Sequence, residues 1–198
     1  MHNQQHTPSL DMTDTALAKQ VLSGNQKAFE VLVRRYHTPL FNFIAHFFGD
    51  ENLADDVLQE VFISFYLSLP RLKTGGTFRS WLFHVAHNYC VDEFRRRTRS
   101  ALSFSQLEKS EGELTGLCAL PDPGPLPEEV AERHNLQALL HEAIQTLPLK
   151  FRSIVILRYA YQLSFPEIGQ ILSIPETTAK TYFYRAKPLL RKSIMEHL

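Results

Sequence analysis

Three groups of side chains in this sequence could do chemistry, and in each the chemistry is recognition rather than bond-making. The first lies near the end. Lys180, Thr181, Tyr184, Arg185 and Lys187, with Arg191 and Lys192, share one arc of a helical projection. Ala179, Phe183, Ala186 and Leu190 gather within about 60° on the other side, an apolar stripe suited to a core. Cations, a hydroxyl and a ring facing outward suit a DNA major groove, where Arg and Lys meet guanine edges and phosphates. A solvated amphipathic helix also carries basic residues, so the arc gains weight only from its surroundings.

The second group is the run FRSWLFHVAHNYCVDEFRRR at 78–97. Trp81, Leu82, Val85, Tyr89 and Phe94 cannot share one narrow stripe, which leaves aromatic surface accessible. Arg79, His87 and Asn88 stand beside it, and Arg95, Arg96, Arg97 and Arg99 follow. Unpaired bases stack on rings while cations hold their backbone. Taken singly, Trp81, Phe83 and Tyr89 read as core. A metal site built from His84, His87 and Cys90 fails on geometry. On one helix His84 and Cys90 lie about 9 Å apart along the axis and about 120° apart in direction, whereas zinc ligands must converge to about 2.0–2.3 Å from one ion. The third group is acidic: Asp50, Glu51, Asp55, Asp56 and Glu60 within eleven residues that hold no base. Such a face fits a basic partner.

Helices must position these groups. No sustained period-2 pattern occurs, so the chain reads as all-α. Helices are expected over about 14–22, 25–48, 52–69 and 78–97, with Pro39 kinking or splitting the second. Residues 100–130 hold Ser, Gly, Glu and the alternating Pro121, Pro123, Pro125 and Pro127, with six acids against one base. They read as a flexible acidic linker between two small helical domains. Beyond it, helices are expected at 136–147 and 148–161. Ser164-Phe165-Pro166-Glu167 is a capping box with proline in the first turn. The helix it opens ends near Leu172, Ser173-Ile174-Pro175 makes a tight turn, and the basic helix follows. Short helix, turn and basic helix form a helix-turn-helix signature. From Leu147 onward eight bases face three acids. Pro188 is expected to end or bend the last helix.

Composition narrows the classes. The 198 residues are 44% hydrophobic and 21% charged, with 21 bases balancing 21 acids, a normal globular mix. Two cysteines, Cys90 and Cys118, make no disulfide framework or zinc pair, and reduced thiols fit them best. No secretory signal and no run of 18 apolar residues is present, so a cytoplasmic protein without membrane insertion is expected. No nucleophile–base pair or phosphate-cradling glycine loop appears, and Gly75-Gly76 lacks a following Gly-Lys-Ser/Thr. No enzyme activity, metal or cofactor is expected. Two other readings stay open: a dimeric helix-turn-helix regulator binding duplex DNA alone, and a metal-dependent enzyme using the histidines.

Several motifs in order resemble the extracytoplasmic-function (ECF) group of bacterial RNA polymerase sigma factors. They are AFEVLVRRYHTPLFNF (28–43), ADDVLQEVFISFY (54–66), FRSWLFHVAHNYCVDEFRRR (78–97), LPLKFRSIVILRYAYQLSFPEIGQIL (147–172) and PETTAKTYFYRAKPLL (175–190). The resemblance implies a flexible N-terminus (1–12), a sigma2 domain (13–99), the linker (100–130) and a sigma4 domain (131–198). It implies a subunit that binds the β and β′ subunits of core polymerase and directs it to promoter DNA. Asp55, Asp56, Gln59 and Glu60 would face polymerase. Arg79, Trp81, His87, Asn88, Arg95, Arg96 and Arg97 would meet the opened −10 element, with Asn88 where the family holds a flipped base. Lys180, Thr181, Tyr184, Arg185 and Lys187 would read the −35 duplex. An anti-sigma partner is implied as well. The chain departs from the family at Thr177-Thr178-Ala179, where Gly-Thr-Val is usual, at Tyr182 and at Pro188, departures that bear on −35 preference.

Overall fold

The computed structural model describes residues 12–72, 78–104 and 138–196. The expected N-terminal tail, the Gly75-Gly76 loop and most of the linker with Cys118 lie outside these residues. Four helices make a front bundle: α1 (Asp14–Leu22), α2 (Gln26–Phe48), α3 (Glu51–Ser68) and α4 (Phe78–Phe104), with one 3₁₀ turn at Leu69–Arg71. Four more make a rear bundle: α5 (138–146), α6 (Leu149–Tyr159), α7 (Phe165–Leu172) and α8 (Glu176–Glu196). Among the described residues there is no strand.

α1, α2 and α3 each start where a side-chain oxygen satisfies an orphan amide. Thr13 accepts from Ala16 N–H, Asn25 from Lys27 N–H and Asp50 from Leu53 N–H. The helices then bury one stripe each. Leu17, Leu32, Leu40, Phe43, Ile44, Phe47, Phe65, Leu82 and Phe83 are all fully inside. Rings interlock there, with Phe43 edge-on to Phe83 at 5.5 Å between centroids and Phe65 edge-on to Phe78 at 5.8 Å. The rear core is built from Ile154, Leu157, Ile168, Ile171, Ala179, Phe183 and Ala186.

Neither proline interrupts its helix. α2 runs through Pro39 without splitting. A proline inside a helix costs about 3 kcal/mol. Leu40, Phe43, Ile44 and Phe47 beyond it are buried on the same core as Leu32 and Tyr36 before it, and each such burial is worth roughly 1.5–3 kcal/mol. Packing wins. α8 likewise continues through Pro188 to Glu196. Pro188 is exposed, so the Tyr184 carbonyl it cannot serve lies on the solvent side, while Leu190 and Ser193 beyond it remain buried. α4 also outruns its expected end at Arg97 and reaches Phe104, inside the stretch read as linker.

The bundles touch. α4 lies along α7, and α2 along α6. Gly49 ends α2 with a left-handed φ of 78°, a conformation costly for other residues. A Cβ there would stand 2.8 Å from His141 Nε2 of α5. Glycine therefore both turns the chain and admits the rear bundle.

Candidate nucleic-acid interface

The helix-turn-helix is fixed by local chemistry. Ser164 Oγ accepts from Glu167 N–H, and the Glu167 carboxylate accepts from Ser164 N–H at 2.7 Å and Ser164 O–H at 2.6 Å. These hydrogen bonds hold the Glu167 carboxyl below its usual range. Ser173 takes a left-handed φ of 54° to make the turn, and Ile174 N–H donates to Gly169 O at 2.9 Å. Gly169 sits where the turn folds back: a Cβ on it would come within 2.8 Å of Ile174 O. Gly169→Ala is therefore expected to cost about 1–3 kcal/mol and to re-aim α8, seen as a lower melting temperature with helix content unchanged in the cold.

α8 presents the predicted arc. Ala179, Phe183, Ala186, Leu190 and Ser193 are buried, while Lys180, Thr181, Tyr184, Arg185 and Lys187 are exposed together with Arg191 and Lys192. Tyr184 is 62% exposed. The groups differ in freedom. Lys180 pairs with Glu176 at 2.6 Å, Thr181 O–H donates to Thr177 O at 2.8 Å, and Lys187 lies over the Phe183 and Tyr184 rings. Arg185 forms no ion pair among the described residues.

α4 is less open than its sequence suggests. Arg79 and Asn88 are exposed, but Trp81 is half-buried against Phe65 at 5.8 Å, and Phe83 is core. His87 is half-buried and exchanges a hydrogen bond of 3.0 Å with Ser153 Oγ of α6. Burial, and the neighbouring His84, push its pKa down to about 4. His84 donates from Nδ1 to Ile171 O of α7 at 2.6 Å, and its Nε2 accepts from the Asn88 amide at 3.0 Å. Cys90 is fully buried in the front core, and burial pushes its thiol well up. The three supposed ligands thus diverge. No group of three or more His, Cys, Asp or Glu among the described residues could hold a metal ion.

The arginine run is partly neutralised, which sequence reading missed. Glu93 takes Arg96 at 2.8 Å and Arg97 at 3.1 Å, and those hydrogen bonds hold its carboxyl below the usual range. Arg95 lies 3.8 Å from Asp92. The i,i+3 and i,i+4 spacings were the available signal.

On α3, Asp55, Asp56, Gln59 and Glu60 are exposed as predicted. The same arc carries Ile63, Tyr66 and Leu67, exposed by 54%, 55% and 69%. In angular order Asp55, Tyr66, Gln59, Ile63, Asp56, Leu67 and Glu60 span about 140° of the helix. The face is therefore acidic at one end and apolar at the other, a composition typical of protein contacts.

Comparison with known proteins agrees with these features. Sigma-70 region 2 matches residues 32–100 and Sigma-70 region 4 matches residues 137–190. The ECF RNA polymerase sigma factor SigW of Bacillus subtilis is 32% identical over 178 residues, 90% of this chain and 95% of its own. The ECF RNA polymerase sigma-E factor of Escherichia coli is 28% identical over 192 residues, 94% of this chain and 96% of its own. Two solved structures share the fold. CnrH in complex with the cytosolic domain of CnrY has a TM-score of 0.64 at 24% identity, covering 90% of this chain and 95% of that one. The sigma factor RpoE in complex with the anti-sigma factor NepR from Bartonella quintana has a TM-score of 0.66 at 18% identity, covering 85% of this chain and 98% of that one. No helix among the described residues is long and apolar enough to cross a membrane. With both regions matched in order and a relative alike over nearly its whole length, the chain belongs to the ECF group of the sigma-70 family, promoter-specificity subunits of RNA polymerase that catalyse nothing themselves.

Proposed function

We propose a residue-level division of this sigma factor's work. α8 enters the −35 major groove, where Arg185 meets a guanine edge and Lys180, Thr181, Tyr184 and Lys187 fix the helix on bases and phosphates. α4 captures unpaired −10 bases, with Asn88 reading an extruded base and Arg79, Trp81, His87, Arg95, Arg96 and Arg97 stacking or neutralising beside it. The α3 arc from Asp55 to Leu67 docks on the β′ subunit, its carboxylates meeting bases and Ile63, Tyr66 and Leu67 burying apolar area. The working place is the cytoplasm, where the polymerase is. Of the solved neighbours named above, one is bound to the cytosolic domain of CnrY and one to the anti-sigma factor NepR, and an anti-sigma protein covering the α3 face or α8 of this chain fits the apolar surface left there. Domain limits at 13–99 and 131–198, with a linker between, complete the reading.

The observation that carries it is the sorting of α8: five recognition side chains exposed on one side and an unbroken apolar stripe buried on the other. The test is run-off transcription by purified core polymerase with this chain on a promoter library. Defined start sites are expected, and Asn88→Ala should lose activity on closed promoters while keeping more on premelted ones. Specific duplex binding by the chain as a dimer, with no core-dependent start site, would replace this reading with that of a stand-alone regulator.

A further inference from the structure

Lys150 is a cation that lies outside α8 yet rests on it. It stands in the first turn of α6, is exposed, and forms no ion pair among the described residues. Its Nζ lies 5.1 Å from the centroid of the Phe151 ring and 5.7 Å from that of Tyr182 on α8. Those two rings meet edge-on at 5.6 Å, so two helices build the seat. A ring face attracts an ammonium without neutralising it and leaves its three N–H donors to other acceptors. The lysines of α8 at 180 and 192 differ, because Glu176 and Glu196 face them at 2.6 and 3.6 Å.

The side of α8 on which the seat lies follows from helical projection. Thr178, Tyr182 and Arg185 share one flank within about 60°. Lys180 and Lys187 share the opposite flank with Phe183, where Phe165 of α7 packs at 5.5 Å between centroids. A helix about 10–12 Å across fills a major groove about 12 Å wide, so each flank faces one phosphate rim. One rim meets Lys180 and Lys187. The other meets Arg185, which the function proposed above commits to a base edge, and about two turns on the paired Lys192. Beside Tyr182, α8 itself has no cation to spare for that second rim.

We propose that Lys150 is a further DNA contact: seated on Tyr182 and Phe151, it grips a backbone phosphate on the rim opposite Lys180 and Lys187, so that α6 and α8 hold the −35 duplex from both sides. Its role rests on α8 lying in the −35 groove as proposed above. Lys150 supplies affinity and orientation but no base preference, because a phosphate is the same at every sequence. Tyr182 is a positioning residue. Its ring keeps the ammonium at the rim, which reduces the rotamer freedom that a four-carbon stem would lose on binding.

The test uses holoenzyme assembled from purified core and the full chain, with binding to a dye-labelled promoter duplex followed by anisotropy from about 50 to about 200 mM salt. Lys150→Gln should make the logarithmic salt slope shallower by about 0.9, the share of one phosphate. Counting the contact as spent at about 1 M salt, affinity should fall about 15-fold at about 50 mM and about fourfold at about 200 mM. The loss should be the same for every single-base −35 variant. Lys150→Arg and Tyr182→Phe, which keep the charge and the ring, should bind as the parent does. Tyr182→Leu keeps the charge without its seat, so affinity should fall while the slope stays. Core affinity and melting temperature are measured alongside. A Lys150→Gln loss confined to those two, with the salt slope unchanged, would make the lysine a polymerase or packing contact and overturn the proposal. An unchanged slope while Arg185→Ala still alters the ranking of −35 variants would overturn the Lys150 contact and leave α8 in its groove. If neither variant alters promoter binding, both assignments fall.

Discussion

Replacing Arg152 by alanine is expected to remove about 3 kcal/mol of stability and lower the melting temperature by roughly 10 °C. The side chain is 5% exposed, and its partners are backbone carbonyls. Nη1 donates to Phe47 O at 2.8 Å, and Nη2 donates to Gln145 O and to Leu147 O at 3.3 Å. The guanidinium also lies over the Phe47 and Phe94 rings at 5.5 and 5.7 Å. These carbonyls belong to the ends of α2 and α5, where helix dipoles gather negative potential. A cation there is stabilised by oriented peptides, and truncation leaves three carbonyls to find water. Burial lowers the guanidinium's pKa, but arginine starts so high that it stays charged. Arg152→Lys should rescue little, because one ammonium cannot span both helix ends. Thermal and urea unfolding of both variants decide this, and a loss under 1 kcal/mol in the alanine variant would mean water replaces the fork.

Arg185→Ala is expected to lower initiation from promoters with an intact −35 element about 30-fold and to flatten preference at one base pair. A bidentate arginine–guanine pair carries about 1–3 kcal/mol of discrimination. Arg185 is the side chain best placed for this, being exposed and without an ion pair among the described residues, whereas Lys180 must first leave Glu176. Lys187→Ala should instead weaken all promoters alike and reduce salt dependence, as loss of a phosphate contact does. Run-off transcription across single-base −35 variants separates the two. An Arg185→Ala protein that ranks those variants as the parent does would place base reading elsewhere on α8.

α1, α2, α3 and α7 were legible because each carries buried apolar residues at helical spacing and a side-chain cap that the sequence displays. Ser164 with Glu167 marks α7 by itself, and the α8 stripe follows from spacing. Whether a proline would break its helix was not legible, because its local cost is fixed while the packing that outweighs it is tertiary. Pro39 is held inside one continuous helix by residues on both sides of it that share a core. The acidic half of the α3 face was visible as charge, and Ile63, Tyr66 and Leu67 fall outside the stripe expected to be buried, but that they form an exposed apolar half was evident only from the structure. Contacts between the bundles left no periodic trace. His84, His87 and Arg152 each meet a partner more than sixty residues away in sequence, and no spacing rule announces such a pairing.

Glu93 gives the arginine run a thermodynamic character that its letters conceal. Each phosphate that takes Arg96 or Arg97 must displace a carboxylate already in place, so fewer solution ions change hands than the cation count implies. Single-stranded DNA ordinarily yields a logarithmic salt slope near −0.7 for each phosphate neutralised. Four arginines acting independently would give about −2.8, and this tethered set should give nearer half that. If α4 and α8 divide the promoter as proposed, grip on the opened strand would hold up better in a concentrated medium than grip on the duplex by α8, whose Arg185 forms no ion pair among the described residues.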